Sequence, residues 1–209
     1  MPIFRMYSAA ELEMFGLDIS DRHPYRIAGR PFEVDIDRIL TADGITLLFK
    51  YGLVKWHDVA ALATVNGKVI VVDAHCYDNV RYEKMVRFTL AEEFAHTILH
   101  CAVTRQRGVN DRATFKSFME HLPEDEVYEA DRNARKLAEA ILMPKHDFIQ
   151  RFHELKQELH ADFADPDATV LLQLTRDFNL NIKPVVYRAA NLGLISNSGI
   201  ILNNKSCIA

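Results

Sequence analysis

Glu92, Glu93 and His96 fall within "AEEFAHTILH" (residues 91–100), which also carries His100. Carboxylates and imidazoles are the side chains that hold metal ions and move protons near neutral pH. At 3.6 residues per turn these four share one side of a helix with Thr89 and Thr97, while Leu90, Ala91, Phe94, Ala95, Ile98 and Leu99 fill the rest. A solvated helix face usually bears lysine, arginine or glutamine, and this one bears none. Asp131 is a further candidate. On a helix over residues 124–142 it sits inside the apolar arc of Val127, Ala130, Ala134, Leu137 and Ile141, with Glu129, Arg132, Lys136 and Glu139 on the opposite, solvent side. A carboxylate facing a core needs a counter-charge, either an internal salt bridge, for instance to Arg87 or Arg135, or a metal ion.

Several elements must position these residues. The stretch "PFEVDIDRILTADG" (31–44) suits a short helix closing on a glycine, and "ITLLF" reads as a strand. "ALATVNGKVIVVD" (61–73) sets Asn-Gly between two β-prone runs, a strong hairpin signal, so a small antiparallel sheet precedes the helix of Glu92. Helical patterning begins near residue 83, resumes at 113–121 and runs from 124 to 142. Pro144 ends that helix and opens the next, since proline is tolerated in a first turn. Two more helices flank the turn "NLN", with Gly193 as a stop. "RHPYRIAGRP" reads as irregular, and the tail "NSGIILNNKSCIA" is uninformative. The expectation is an α+β, mostly helical domain. It divides into an N-terminal extension (1–30), a main domain (31–160) and a C-terminal helical segment (161–209) packed on it.

Composition narrows the class. With 49% hydrophobic and 26% charged residues in a chain of 209, one good core can form. Cys76, Cys101 and Cys207 are an odd, widely spaced set, expected to be reduced thiols. No apolar run approaches the ~20 residues of a membrane span. No basic-then-apolar leader opens the chain, so a cytoplasmic location is expected. A net charge of −4 gives no bulk attraction to phosphate backbones.

"RFTLAEEFAHTILH" (87–100) and "DRNARKLAEAILMP" (131–144) together resemble the ImmA/IrrE family of zinc metallo-endopeptidases. Its patterns run R-F-T-x-A-H-E-x-x-H-x-x-L-H and, later, E-x-x-A-x-x-x-A-x-x-L-L-M-P. The upstream "FEVDIDRIL" is similar to the family's P-V-D-I-x-x-I-A, and the likeness spans about residues 30–195. The resemblance implies a zincin-like fold in which a small sheet lies over the metal helix and a second helix supplies the third ligand. Carried over by position, it makes Glu93 the catalytic base and Glu92, His96 and Asp131 the metal ligands. Glu92 stands where the family has histidine, and Asp131 where it has glutamate. Zinc is the metal the resemblance implies. One imidazole with two carboxylates is a harder set, which admits manganese or iron(II), and two anionic ligands leave a bound water less acidic. His100 stands too far along the helix to share one ion with Glu92 and His96 and goes to the surrounding shell or core. His75, His121, His146, His153 and His160 have weaker claims, and Tyr128 could face the cleft as a donor.

"LTRDFNLNIKPVVYRAANLGLI" is similar to the family's C-terminal pattern, which looks like a helix-turn-helix. A DNA-reading helix wants basic or amide groups at its start. Lys183, Arg188 and nearby asparagines offer little, so duplex DNA is a weak candidate partner and Arg188 is expected to brace a neighbouring helix. Two functions follow from the resemblance. One is limited proteolysis of a phage-repressor-like regulator, in the control of mobile elements or stress. The other is a pseudoprotease that binds a repressor or a toxin-antitoxin partner without cutting it.

Overall fold

The computed structural model describes residues 3–158 and 166–196. Helix α1 (Ala9–Arg22) leads into the antiparallel pair β1 (Arg26–Ile27) and β2 (Arg30–Val34), then α2 (Ile36–Ala42). Strand β3 (Thr46–Lys50), helix α3 (Leu53–His57), the hairpin β4 (Ala61–Ala63) and β5 (Val69–Asp73), and α4 (Ala74–Tyr77) follow. After a 3-10 turn over Val80–Tyr82 come α5 (Glu83–Leu99), α6 (Cys101–Gln106), α7 (Arg112–Glu120) and α8 (Glu124–Leu142). Helices α9 (Lys145–Glu158), α10 (Pro166–Asp177) and α11 (Ile182–Asn191) complete the described chain. The fold is mostly helical α+β, as the periodicity predicts. None of the described helices is long and apolar enough to cross a membrane. The tail from residue 197, with Cys207, lies outside the described residues, as does His160.

The sheet order is β3-β5-β4. The predicted hairpin joins β4 and β5 antiparallel, with Leu62 opposite Val71, while β3 runs parallel to β5 from Thr46 opposite Val69 to Lys50 opposite Asp73. Gly67 takes φ 66°, and a Cβ there would stand 3.1 Å from Cys101 Sγ, so glycine both makes the turn and lets the hairpin lie on the end of α5.

Helix α5 packs against α8 through small and apolar residues, Ala91, Phe94 and Ala95 meeting the stripe of Ala134, Leu137, Ala138 and Ile141 in one core. Helix α1 covers another side of α8. Its Gly16 sits so close to Ala140 that a Cβ would fall 2.6 Å from that methyl group. Ser8 caps α1, accepting from Glu11 N at 3.3 Å while Glu11 Oε2 accepts from Ser8 N at 2.8 Å. Two expectations change in this region. "RHPYRIAGRP" is not irregular but supplies β1 and the start of β2, and the helix read over 31–44 begins only at Ile36, capped by Asp35. Tertiary partners decide both: β2 pairs with β1, and Arg87 Nη2 donates to the Val34 carbonyl at 2.9 Å.

The α10–α11 turn is held by Asn179 at φ 51°, whose amide donates to Glu33 Oε1 at 3.0 Å and Glu83 Oε1 at 2.7 Å. Gly193, at φ 71°, follows the end of α11. Arg188 braces its neighbours as expected. It is 1% exposed, pairs with Glu13 of α1, and donates from Nε to the Met143 carbonyl at 3.1 Å.

Candidate functional site

Strand β4 is a sheet edge lying along α5. Asp73 N donates to the Ala60 carbonyl and Thr64 N to the Val69 carbonyl, both at 2.8 Å, so alternate residues face β5 and the backbone groups of Ala61 and Ala63 point away from it. Glu93 takes one of those edge donors: Ala63 N donates to Glu93 Oε2 at 2.6 Å. Burial pushes the Glu93 carboxyl up to about 7; the Ala63 bond opposes the shift, and the charges of Glu92 and Asp131 add to it. Glu93 is therefore poised between its two protonation states near neutral pH.

One residue earlier, Glu92 turns to α8. Arg135 donates from Nε to Glu92 Oε1 at 2.9 Å. Burial raises the Glu92 carboxyl and Arg135 opposes that rise. Arg135 lies one turn beyond Asp131, and both side chains are directed at α5. Asp131 itself is at the rim rather than in the core, with a side chain 43% exposed. Its Oδ1 is 3.7 Å from His96 Nε2, beyond hydrogen-bonding range.

The other His96 nitrogen faces inward, with Nδ1 3.0 Å from His100 Nδ1. Burial lowers His96 and takes His100 down to about 3, so both rings are neutral at pH 7 and one Nδ1–H donates to the other. His100 is buried edge-on to the Phe4 ring, centroids 4.9 Å apart, and its Nε2 has no partner. It belongs to the core behind the site, as expected. His75, His121, His146 and His153 are exposed, and Tyr128 is too.

The fit of a metal ion can be tested on these donors. A separation of 3.7 Å between His96 Nε2 and Asp131 Oδ1 is one that two ligands of a single ion could have. The third, Glu92, is engaged by a guanidinium. Among the described residues no group of three or more His, Cys, Asp or Glu side chains is arranged to hold a metal ion. The arrangement does not fit a bound ion, because a fixed positive charge already serves the carboxylate that would be its first ligand.

Two features escaped the sequence reading. Arg135, which the sequence suggests as a salt-bridge partner of Asp131, instead serves Glu92. Glu139, placed by its helix projection on a solvent side, is 5% exposed, because α1 and α11 cover that side of α8. Its carboxyl is pushed up to about 7 by burial, against the pull of Arg188 and of the Asn191 amide, which donates to Oε2 at 3.2 Å. The Ala63 donor could have been anticipated from a hairpin predicted next to the helix of Glu93.

A helix bearing E-E-x-x-H, crossed by a second helix and flanked by an edge strand, defines a peptidase-like domain of the zincin type. A family model described as the IrrE N-terminal-like domain matches residues 53–189, and the chain belongs to the ImmA/IrrE family. Among solved structures it is similar to a Mycobacterium tuberculosis transcriptional regulator at 16% identity and a TM-score of 0.54, over 87% of this chain and 46% of that one. That is a likeness of fold, and this chain spans less than half of that protein's length. No curated protein matches.

Proposed function

We propose that this protein is a binding member of its peptidase family, a pseudoprotease that holds an extended segment of a regulatory protein and does not cleave it with metal. The Arg135–Glu92 pair carries this reading. A guanidinium is permanently charged and matches a carboxylate in geometry, so it supplies within the chain the countercharge that an ion supplies in a metallopeptidase. The outward groups of Ala61 and the carbonyl of Ala63 remain for backbone pairing with an extended segment. A repressor-like regulator as partner is supported by the family, and a solved protein of similar fold is itself a transcriptional regulator. A toxin-antitoxin partner would use the same edge.

The second reading is a metallo-endopeptidase acting on such a regulator, with Glu92, His96 and Asp131 as ligands of zinc, manganese or iron(II) and Glu93 as base. The position of Glu93 near neutrality favours it. Elemental analysis of the full chain purified without chelator, followed by titration with zinc and manganese, separates the two. The binding reading expects no ion held in stoichiometric amount. One ion per chain that is lost in His96→Ala would sink it.

A further inference from the structure

The opposite edge of the sheet leads to a different surface. Strand β3 is an edge, and among the described residues no strand pairs with its outer side. Thr46 N donates to the Lys68 carbonyl at 2.9 Å, so in the parallel ladder Thr46, Leu48 and Lys50 face β5, while the backbone groups of Leu47 and Phe49 point outward. The strand is apolar on both faces at its middle: Leu48 is 45% exposed and Phe49 47%. Just beyond it Tyr51 is 74% and Trp56 68% exposed, the Trp56 ring folded over Gly52. Natural edge strands are normally blunted by charge, proline or a bulge. In β3 the only charged residue is Lys50, at its end.

We infer that β3 pairs antiparallel with β3 of a second copy of this chain, across a two-fold axis through Leu48, to make a six-stranded sheet. The register is self-consistent. With the axis at Leu48, Leu47 of each copy lies opposite Phe49 of the other, and these are the residues whose N–H and C=O groups are free, so four backbone bonds form. Leu48 meets its own copy in the closer, non-hydrogen-bonded position, and Lys50 lies opposite Thr46. The two lysines then stand about 14 Å apart along the strands, beyond the screening length of ~8 Å. Every central pair is apolar with apolar, and no like charges are opposed. The exposed parts of Leu48, Phe49, Tyr51, Val54 and Trp56 offer on the order of 500 Å² of apolar surface per copy, much of the ~800 Å² per partner that a stable dimer buries. Pairing closes at two copies, because a two-fold axis through Leu48 uses the β3 edge of both copies and leaves none for a third.

The test is sedimentation equilibrium of the full chain across a wide concentration range, with two variants. Leu48→Lys sets like charges face to face on the axis. Phe49→Pro removes an N–H that points away from β5 and so leaves the internal ladder whole. The expected result is a reversible dimer whose dissociation constant rises about tenfold or more in each variant, with circular dichroism unchanged. A monomer at every concentration overturns the inference, including one that instead adds a foreign extended peptide at this edge. A dimer that both variants leave intact also overturns it, since another face would then be responsible.

Discussion

Helix α8 meets an arginine–carboxylate arrangement on each of two sides, and the two differ in what covers them. On one side Arg135 pairs with Glu92 with its own side chain 56% exposed. On the other, Arg188 of α11 pairs with Glu13 of α1 near Glu139, its side chain 2% exposed. The chemistry is similar and the two carboxylates are about equally covered, Glu92 21% and Glu13 24% exposed, but the guanidinium reaches water on only one side. A sealed pair becomes part of the core, where removing one partner strands a charge. An open pair contributes little to stability and is free to be exchanged for a ligand.

The largest effect should come from the sealed side. Arg188→Met removes the guanidinium shared by Glu13 and the Met143 carbonyl and leaves Glu139 without its strongest countercharge. A loss of ~3–5 kcal/mol in urea unfolding is expected. A loss no larger than that of a surface substitution would break the comparison at its stronger end.

The same side should dominate part of the pH dependence. The Glu139 carboxyl rises from 4.5 in the unfolded chain to about 7 in the fold. Below pH 4.5 both states hold the proton. Between 4.5 and about 7 the unfolded chain releases it and the folded chain keeps it, so stability falls as pH rises, and above 7 the loss is complete. Glu139→Gln keeps an acceptor for Asn191 and removes the titration. It should match the natural chain below pH 4.5 and exceed it by roughly 1–3 kcal/mol at pH 8. Glu93 adds a fall of the same sign in the same window, so the slope should flatten in part. Melting temperatures at pH 5 and pH 8 check this, and an unchanged slope would mean that Glu139 reaches water.

The contrast between the two sides also marks how far the sequence could be read. The limits of α8 were legible because Pro123 and Pro144 punctuate a strong amphipathic period. The polar face of α5 was legible because carboxylates and imidazoles cluster one turn apart. What lies opposite each face was not, because helix projection reports direction and says nothing of what stands there. Glu139 points away from the apolar arc, which in projection is the solvent side. The helix that buries it, α1, carries only the short Ser8–Glu11 capping signal and was not recognised. Parallel pairing of β3 was hidden for a similar reason, since a parallel neighbour leaves no turn signature. The partner of Glu92 was not legible either: sequence offers Arg87 and Arg135 as partners of Asp131 and gives no sign that either reaches Glu92. Arg87 proves to be committed to Glu33 and the Val34 carbonyl.

The smallest effect on stability, and the sharpest on chemistry, should come from the open side. Arg135→Met deletes a half-exposed pair, and its cost should stay within ~1 kcal/mol. The consequence lies at Glu92, whose carboxylate then faces His96 and Asp131 with no internal cation. If the guanidinium is what stands in for an ion, calorimetric titration with zinc or manganese should find no site in the natural chain and a measurable one in Arg135→Met. Affinity should increase again in Glu92→His/Arg135→Met, where a second imidazole replaces a carboxylate. Equal affinity in all three would show that Arg135 does not compete with a metal, and the open pair would then be as purely structural as the sealed one.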